Sequence, residues 1–167
     1  GTQVQAAFAD ASIEWAHQAE QKGTGHALQC ALPQLPEDGY TLVLYGDVPL
    51  IQTATLQAMC AEADGGVVLL TDTLAHPQGY GRIVRQQGKV QRIVEDKDAN
   101  AAEKAIQEIN TGMLLLPNTH LRGWLSKLKN TNSQGEYYLT DVIALAVADG
   151  LPIHTVQPQY HWEAEGV

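Results

Sequence analysis

Asp47 stands in Tyr45-Gly46-Asp47-Val48-Pro49-Leu50, directly after the strand-forming run Tyr40-Thr41-Leu42-Val43-Leu44. A carboxylate there falls where a strand ends and the backbone turns outward, and open α/β sheets bind ligands at the carboxyl ends of their strands. Gly46 lets a ligand approach the backbone and Pro49 stiffens the exit, which suits a Mg²⁺–phosphate site. A helix N-cap or turn aspartate carries the same local signature, so the surrounding residues must decide between them.

The second stretch with chemistry in it is Gln18-Ala19-Glu20-Gln21-Lys22-Gly23-Thr24-Gly25-His26-Ala27. A strand running through a Gly-Thr-Gly turn into a helix exposes amide N–H groups that suit carbonyl or phosphate oxygens. A glutamine nearby can pair with the donor–acceptor edge of a base. Simple helix-start geometry gives the same pattern. Two further elements weigh against that plain reading. Gly79-Tyr80-Gly81-Arg82 sets two glycines around an aromatic at a strand entry, and Glu95 and Asn110 are polar residues at strand ends.

The elements that must position these residues alternate along the chain, the pattern of an α/β fold with a largely parallel sheet. Helices are expected over 3–11, 23–32, 53–63, 121–128 and 138–148, with Thr53 as an N-cap and Pro33 and Gly150 as stops. Strands are expected over 13–17, 42–45, 66–71, 106–116 and 153–156. The 42–45 run is read as buried on both faces. Residues 80–95 alternate apolar and polar on both sides of Gln87-Gly88, as in an antiparallel hairpin. No repeat or linker divides the chain, so residues 1–167 read as one domain.

The bulk composition excludes several classes. With 167 residues, 44% hydrophobic and 17% charged, the chain has a globular composition and can bury a core. Apolar runs such as Met113-Leu114-Leu115-Leu116 are too short to cross a bilayer, so no membrane role is expected. A net charge of −9 argues against a nucleic-acid partner. Arg82, Arg85, Lys89 and Arg92 straddle the hairpin turn and read as outward charges on a solvated face. Cys30 and Cys60 lack Cys-x-x-Cys spacing and read as buried, reduced thiols in a cytoplasmic protein. The six histidines show no metal-ligand spacing, and no Ser-His-Asp or Cys-His arrangement is evident.

Taken in order, Gln-x-x-Gln-x-Gly-Thr-Gly-His-Ala, Tyr-Gly-Asp-Val-Pro-Leu, Gly-Tyr-Gly-Arg, Ile-Val-Glu-x-Lys-Asp-Ala, Glu-Ile-Asn-Thr-Gly, Gln-Gly-Glu-Tyr-Tyr-Leu-Thr-Asp and Glu-Gly-Val resemble the sugar-nucleotide pyrophosphorylases. The likeness is greatest to the uridyltransferase domain of the bacterial bifunctional N-acetylglucosamine-1-phosphate uridyltransferase/glucosamine-1-phosphate acetyltransferases, and it covers essentially the whole chain. It implies a three-layer, Rossmann-like nucleotidyltransferase domain with a mostly parallel mixed sheet and a β-hairpin insertion. It also implies transfer of UMP from UTP to N-acetylglucosamine 1-phosphate, a step toward cell-wall precursors.

On that resemblance Gln18 and the Gly23 backbone bind uracil, with Thr24 alongside and Gln21 a further candidate. Tyr45, Gly46 and Asp47 line the pocket floor, with Asp47 the catalytic Mg²⁺ ligand. Gly81, Glu95 and Asn110 hold the N-acetylglucosamine. Glu136, Tyr138 and Thr140 match a motif near the sugar, although helix packing and capping would explain Tyr138 and Thr140 equally well.

The family domain opens with a strand and a Gly-rich, Arg-bearing phosphate loop that precede Gly1. It continues past Glu-Gly-Val with an asparagine that completes the Mg²⁺ site, and then with an acetyltransferase domain that builds a homotrimer. The 167-residue chain alone is therefore expected to be inactive, with an apolar strand edge left unpaired. Two rivals remain open: a sister nucleotidyltransferase using another base or sugar, and a noncatalytic nucleotide-sensing domain.

Overall fold

The computed structural model describes residues 2–9 and 12–167. In chain order the elements are α1 (Thr2–Ala7), α2 (Thr24–Ala31), β1 (Tyr40–Val43), α3 (Thr53–Ala61), β2 (Val67–Thr73), β3 (Gly81–Gln86), β4 (Lys89–Val94), α4 (Ala101–Lys104), β5 (Glu108–Pro117), α5 (Asn118–Lys127), α6 (Val142–Ala148) and β6 (Ile153–Val156). Short 3₁₀ turns cover Leu32–Gln34, Leu139–Asp141 and His161–Ala164.

The six strands form one mixed sheet of order β4-β3-β5-β2-β6, with β1 also paired to β5. Strands β1, β2, β3 and β6 run one way, while β4 and β5 run against them. Strand β5 is thus the hub: β2 flanks it from Glu108 to Leu115, β3 pairs its start at Ile109–Asn110, and β1 pairs its end at Leu114–Pro117.

Period-two alternation on the strands divides the core into two layers. Val67, Leu69, Leu114 and Leu116 pack with Trp124, Leu125, Val142 and Ile143 of α5 and α6. Val68, Leu70, Met113 and Leu115 point the other way, onto Met59 of α3. At about 25 cal/mol per Å² of apolar surface, burying such residues is what makes short helices like these stable.

Several expectations need correction. Residues 13–17 form no strand: they are exposed and find no ladder partner among the described residues, and extended sequence alone does not hold a strand. Strand β1 is only half-buried: Val43 packs on one core layer and Tyr40 and Leu42 on the other, but β5 is its one ladder partner among the described residues, and Leu44 beyond it is exposed. Thr53 is not the cap of α3. Gln52 occupies that position, and the Glu163 carboxylate accepts its N–H at 3.2 Å. Cys60 is exposed and Cys30 half-buried, and both are free. Arg82 is not on the solvated face of the hairpin but 1% exposed. The end of the expected first helix, residues 10 and 11, lies outside the described residues. Helix α4, held by a reciprocal Asn100–Glu103 capping box, was not anticipated.

Candidate active site

Sheet register sets the first part of the site. Gly81 of β3 and Asn110 of β5 are directly opposed across the ladder. Glu95 follows β4, whose Val94 opposes Arg82. A Cβ at position 81 would meet Ile93 Cγ2 at 2.9 Å and the Glu95 carboxylate oxygens at 3.3 and 3.4 Å, so only glycine admits this approach. The hairpin turn that fixes the register is Gln87-Gly88, with φ of 50° and 77°, as a two-residue primed turn requires.

Arg82 locks this corner from behind. Its guanidinium donates to the Tyr80 carbonyl and, at 2.9 Å, to Asp96 Oδ1. A buried cation with a carboxylate partner ties the Gly-Tyr-Gly entry to the residue after Glu95.

The Glu136–Thr140 segment closes a third side. The Thr140 hydroxyl donates to Glu95 Oε1 at 2.8 Å, and Tyr138 Oη donates to Asp98 Oδ2 at 3.3 Å. Thr140 is buried within the 3₁₀ turn and spends its hydroxyl on Glu95. The segment is stitched to the Gly-Thr-Gly turn by Tyr137 N–H to Lys22 O, Gly25 N–H to Tyr137 O, and Leu139 N–H to Thr24 Oγ1. Gly23 has φ +101°, and a Cβ there would lie 2.7 Å from the Tyr137 carbonyl. The turn is therefore a docking joint, and its Gly25 amide is already used in it.

The fourth side is the Tyr45–Asp47 turn. The Tyr45 ring lies over Gly112, where a Cβ would fall 2.6 Å from Cε2. Burial, then the charges of Glu95 and Asp47, raise the Tyr45 phenol above its ordinary value, so it stays a neutral donor. Asp47 O accepts the Val167 N–H at 2.9 Å, which brings the Glu-Gly-Val stretch against the same turn. Glu163, fully buried, anchors that stretch by accepting from Thr55 Oγ1 at 2.5 Å and Tyr160 N at 3.1 Å.

These four sides enclose a cavity of about 410 Å³, a size typical of small-ligand sites. Thr24, Tyr45, Asp47, Gly81, Glu95, Asn110, Glu136, Tyr138 and Thr140 all line it. Val48, Gly79, Tyr80, Thr111, Gly112, Ala164 and Gly166 complete the wall; sequence reasoning assigned these no role, although most lie inside the quoted motifs. Gln18 and Gly23 do not line the cavity but sit together next to Thr24 at its rim, 3.2 Å apart through Gln18 Nε2 and Gly23 O. Gln21 and Gly46 are exposed and outside it.

Two features of the cavity bear on its chemistry. Asn110 is 7% exposed, and its buried Oδ1 has no hydrogen-bond partner among the described residues. Native structures rarely leave such an atom unpaired unless a ligand or ordered water meets it. The lining also carries three carboxylates, Asp47, Glu95 and Glu136, and no lysine or arginine. Among the described residues no three acidic, histidine or cysteine side chains cluster tightly enough to hold a metal alone. Asp47 offers one hard-oxygen carboxylate, and such a lone carboxylate would suit an ion such as Mg²⁺ that takes one or two protein carboxylates and completes its shell with phosphates and water.

A mixed sheet packed between helices, with a cavity against it, defines a layered α/β domain. Residues 1–133 match the MobA-like NTP transferase domain, and the chain belongs to that family. Across its whole length it is 61% identical to the bifunctional protein GlmU of Thiobacillus denitrificans and 58% identical to that of Chromobacterium violaceum. It spans 37% of the length of each of these relatives. Its fold is that of a UDP-glucose pyrophosphorylase solved with UDP-glucose: the TM-score is 0.69 at 16% identity, over 99% of this chain and 68% of the other.

Proposed function

We propose that the chain is the core of a uridyltransferase that joins UTP and N-acetylglucosamine 1-phosphate into UDP-N-acetylglucosamine and pyrophosphate. The observation that carries this reading is the unpaired Asn110 Oδ1 beside Glu95 and Gly81 in one cavity with Asp47. An amide that donates and accepts, a carboxylate and a backbone N–H together suit the hydroxyls and acetamido group of a sugar. Relatives at 58–61% identity over this whole chain carry the GlmU name, which favours the same reaction.

In the reaction a phosphate oxygen of the sugar phosphate attacks the α-phosphorus of UTP in line, and the bond to the pyrophosphate leaving group breaks. No side-chain nucleophile takes part, so the residues work by positioning. Glu95, aimed by Thr140, and Asn110 hold the sugar, while the Thr24 rim with Gln18 and the Gly23 backbone receives the base. Asp47 would hold Mg²⁺, which when bound offsets phosphate charge. In a cavity lined by three carboxylates and no basic group, that offset is a precondition for binding a diphosphate.

The asparagine that follows Glu-Gly-Val in the family would emerge beside Asp47, given the Val167–Asp47 hydrogen bond. Residues 1–167 alone are expected to turn over far more slowly than a chain that adds it and the basic phosphate loop, since losing one well-placed electrostatic group costs about 10²–10³ in rate. Trimer formation through a further domain and a cytoplasmic setting belong to the same proposal.

Saturation-transfer NMR with UDP-N-acetylglucosamine, UDP-glucose and dTDP-glucose tests the assignment. Preference for the first, lost in Asn110→Ala and Glu95→Ala, is the expected result. Equal response to all three would favour a sister enzyme, and no response would overturn the nucleotide-sugar assignment.

A further inference from the structure

Three polar side chains stand in series behind the Gly-Thr-Gly turn. Gln18 Nε2 lies 3.2 Å from the Gly23 carbonyl and 3.0 Å from His26 Nδ1. On the far side of the ring, His26 Nε2 lies 3.8 Å from Cys30 Sγ. A peptide carbonyl can only accept, so the Gln18 atom facing Gly23 must be the NH₂ group; an amide turned over would set two carbonyl oxygens against each other. With NH₂ in that place, the ring nitrogen 3.0 Å away must also accept. His26 is therefore the tautomer that carries its proton on Nε2, toward the Cys30 thiol.

The consequence falls on the other end of the amide. Gln18 Oε1 has no hydrogen-bond partner among the described residues, and it can present only an acceptor. At its pairing edge uracil offers a ring N–H, which an outward carbonyl oxygen accepts. Cytosine offers an unprotonated ring nitrogen at the same position, which that oxygen repels.

We propose that His26 is a positioning residue for base selection: together with the Gly23 carbonyl it holds the Gln18 amide with its carbonyl oxygen left free, and so favours uridine over cytidine nucleotides. The proposal rests on the reading above that Gln18 meets the base. It goes beyond that reading in naming a second acceptor, besides the Gly23 carbonyl, that holds the amide's orientation, and the discrimination that follows.

The test compares UDP and CDP affinities by calorimetry in the full chain and in His26→Ala and His26→Asn. Asparagine can place Oδ1 where the imidazole Nδ1 stands, so it keeps the acceptor, whereas alanine removes it. The preference for UDP is expected to shrink roughly three- to tenfold in His26→Ala, the worth of one hydrogen bond, and to return in His26→Asn. Equal loss of both affinities with an unchanged ratio overturns the proposal alone. Absence of UDP binding by the wild-type chain overturns the nucleotide reading along with it. A measurement independent of variant folding is the ¹⁵N spectrum of the His26 ring: an Nε2–H tautomer supports the proposal, and an Nδ1–H tautomer overturns it.

Discussion

Thr140 and Glu95, 45 positions apart in sequence, meet through a 2.8 Å hydrogen bond from the threonine hydroxyl to the Glu95 carboxylate. Thr140 is 8% exposed, so the bond forms away from bulk water and fixes which carboxylate oxygen is left for a ligand. Thr140→Val keeps the shape and removes the donor. A bond to a charged group is worth about 1.5–3 kcal/mol, so the KM for the sugar phosphate should rise about tenfold or more, with kcat less affected. Thr140→Ser should behave nearly as wild type, and steady-state kinetics in a full-length background separates the two.

Gly23 and Gly123 should respond to alanine in opposite directions. At Gly23 the backbone lies in a region open only to glycine, and a Cβ would press on Tyr137 and Glu136. The expected loss is about 1–3 kcal/mol from strain alone, with more from the clash. Gly123 sits within α5, and an added Cβ would meet no atom within 4 Å. Gly123→Ala should therefore stabilise by about 0.5–1 kcal/mol. Urea titration of both variants checks the pair.

Removing the Glu163 side chain should unfasten the C-terminal turn. Its carboxylate accepts from Thr55 Oγ1, Gln52 N and Tyr160 N, and alanine would leave all three donors without that acceptor. A destabilisation of about 3 kcal/mol or more is expected. Faster hydrogen exchange at the Val167 amide should accompany it, as the segment loosens from Asp47.

His161 gives a pH signature. The hydrogen bond to Asp72 at 2.7 Å, and then the charge of Asp72, raise the imidazole above its ordinary value of 6.5. The folded state therefore holds that proton more tightly than the unfolded chain. Its contribution is fully present below pH 6.5 and is lost as pH rises through the raised folded value. Asp72→Asn should bring the NMR midpoint of His161 back down and flatten the pH dependence of the melting temperature in that window.

The fold was legible where periodicity and turn chemistry agree. Gln87-Gly88 marked the hairpin, and the apolar run ending at Thr71 marked β2. Residues 13–17 misled because Ile13 and Trp15 look like strand residues, yet a strand exists only with a ladder partner. Of the candidate site, Asp47, Glu95 and Asn110 stood out as polar residues at strand ends. The Arg82 clamp did not, since an arginine in a hairpin reads as a solvated charge until Tyr80 O and Asp96 are seen around it. Likewise nothing local tells that Thr140 serves Glu95, because the pairing is set by how the 3₁₀ turn packs on β4.

In the proposed function, Asp47 holds the divalent ion that receives a nucleotide sugar's diphosphate. Mn²⁺, a paramagnetic substitute for Mg²⁺, broadens the NMR signals of nearby nuclei. Adding it with UDP-N-acetylglucosamine should broaden amides centred on Tyr45–Val48 and at Val167, and Asp47→Ala should abolish the effect. Broadening centred elsewhere, or unchanged in Asp47→Ala, would contradict the account.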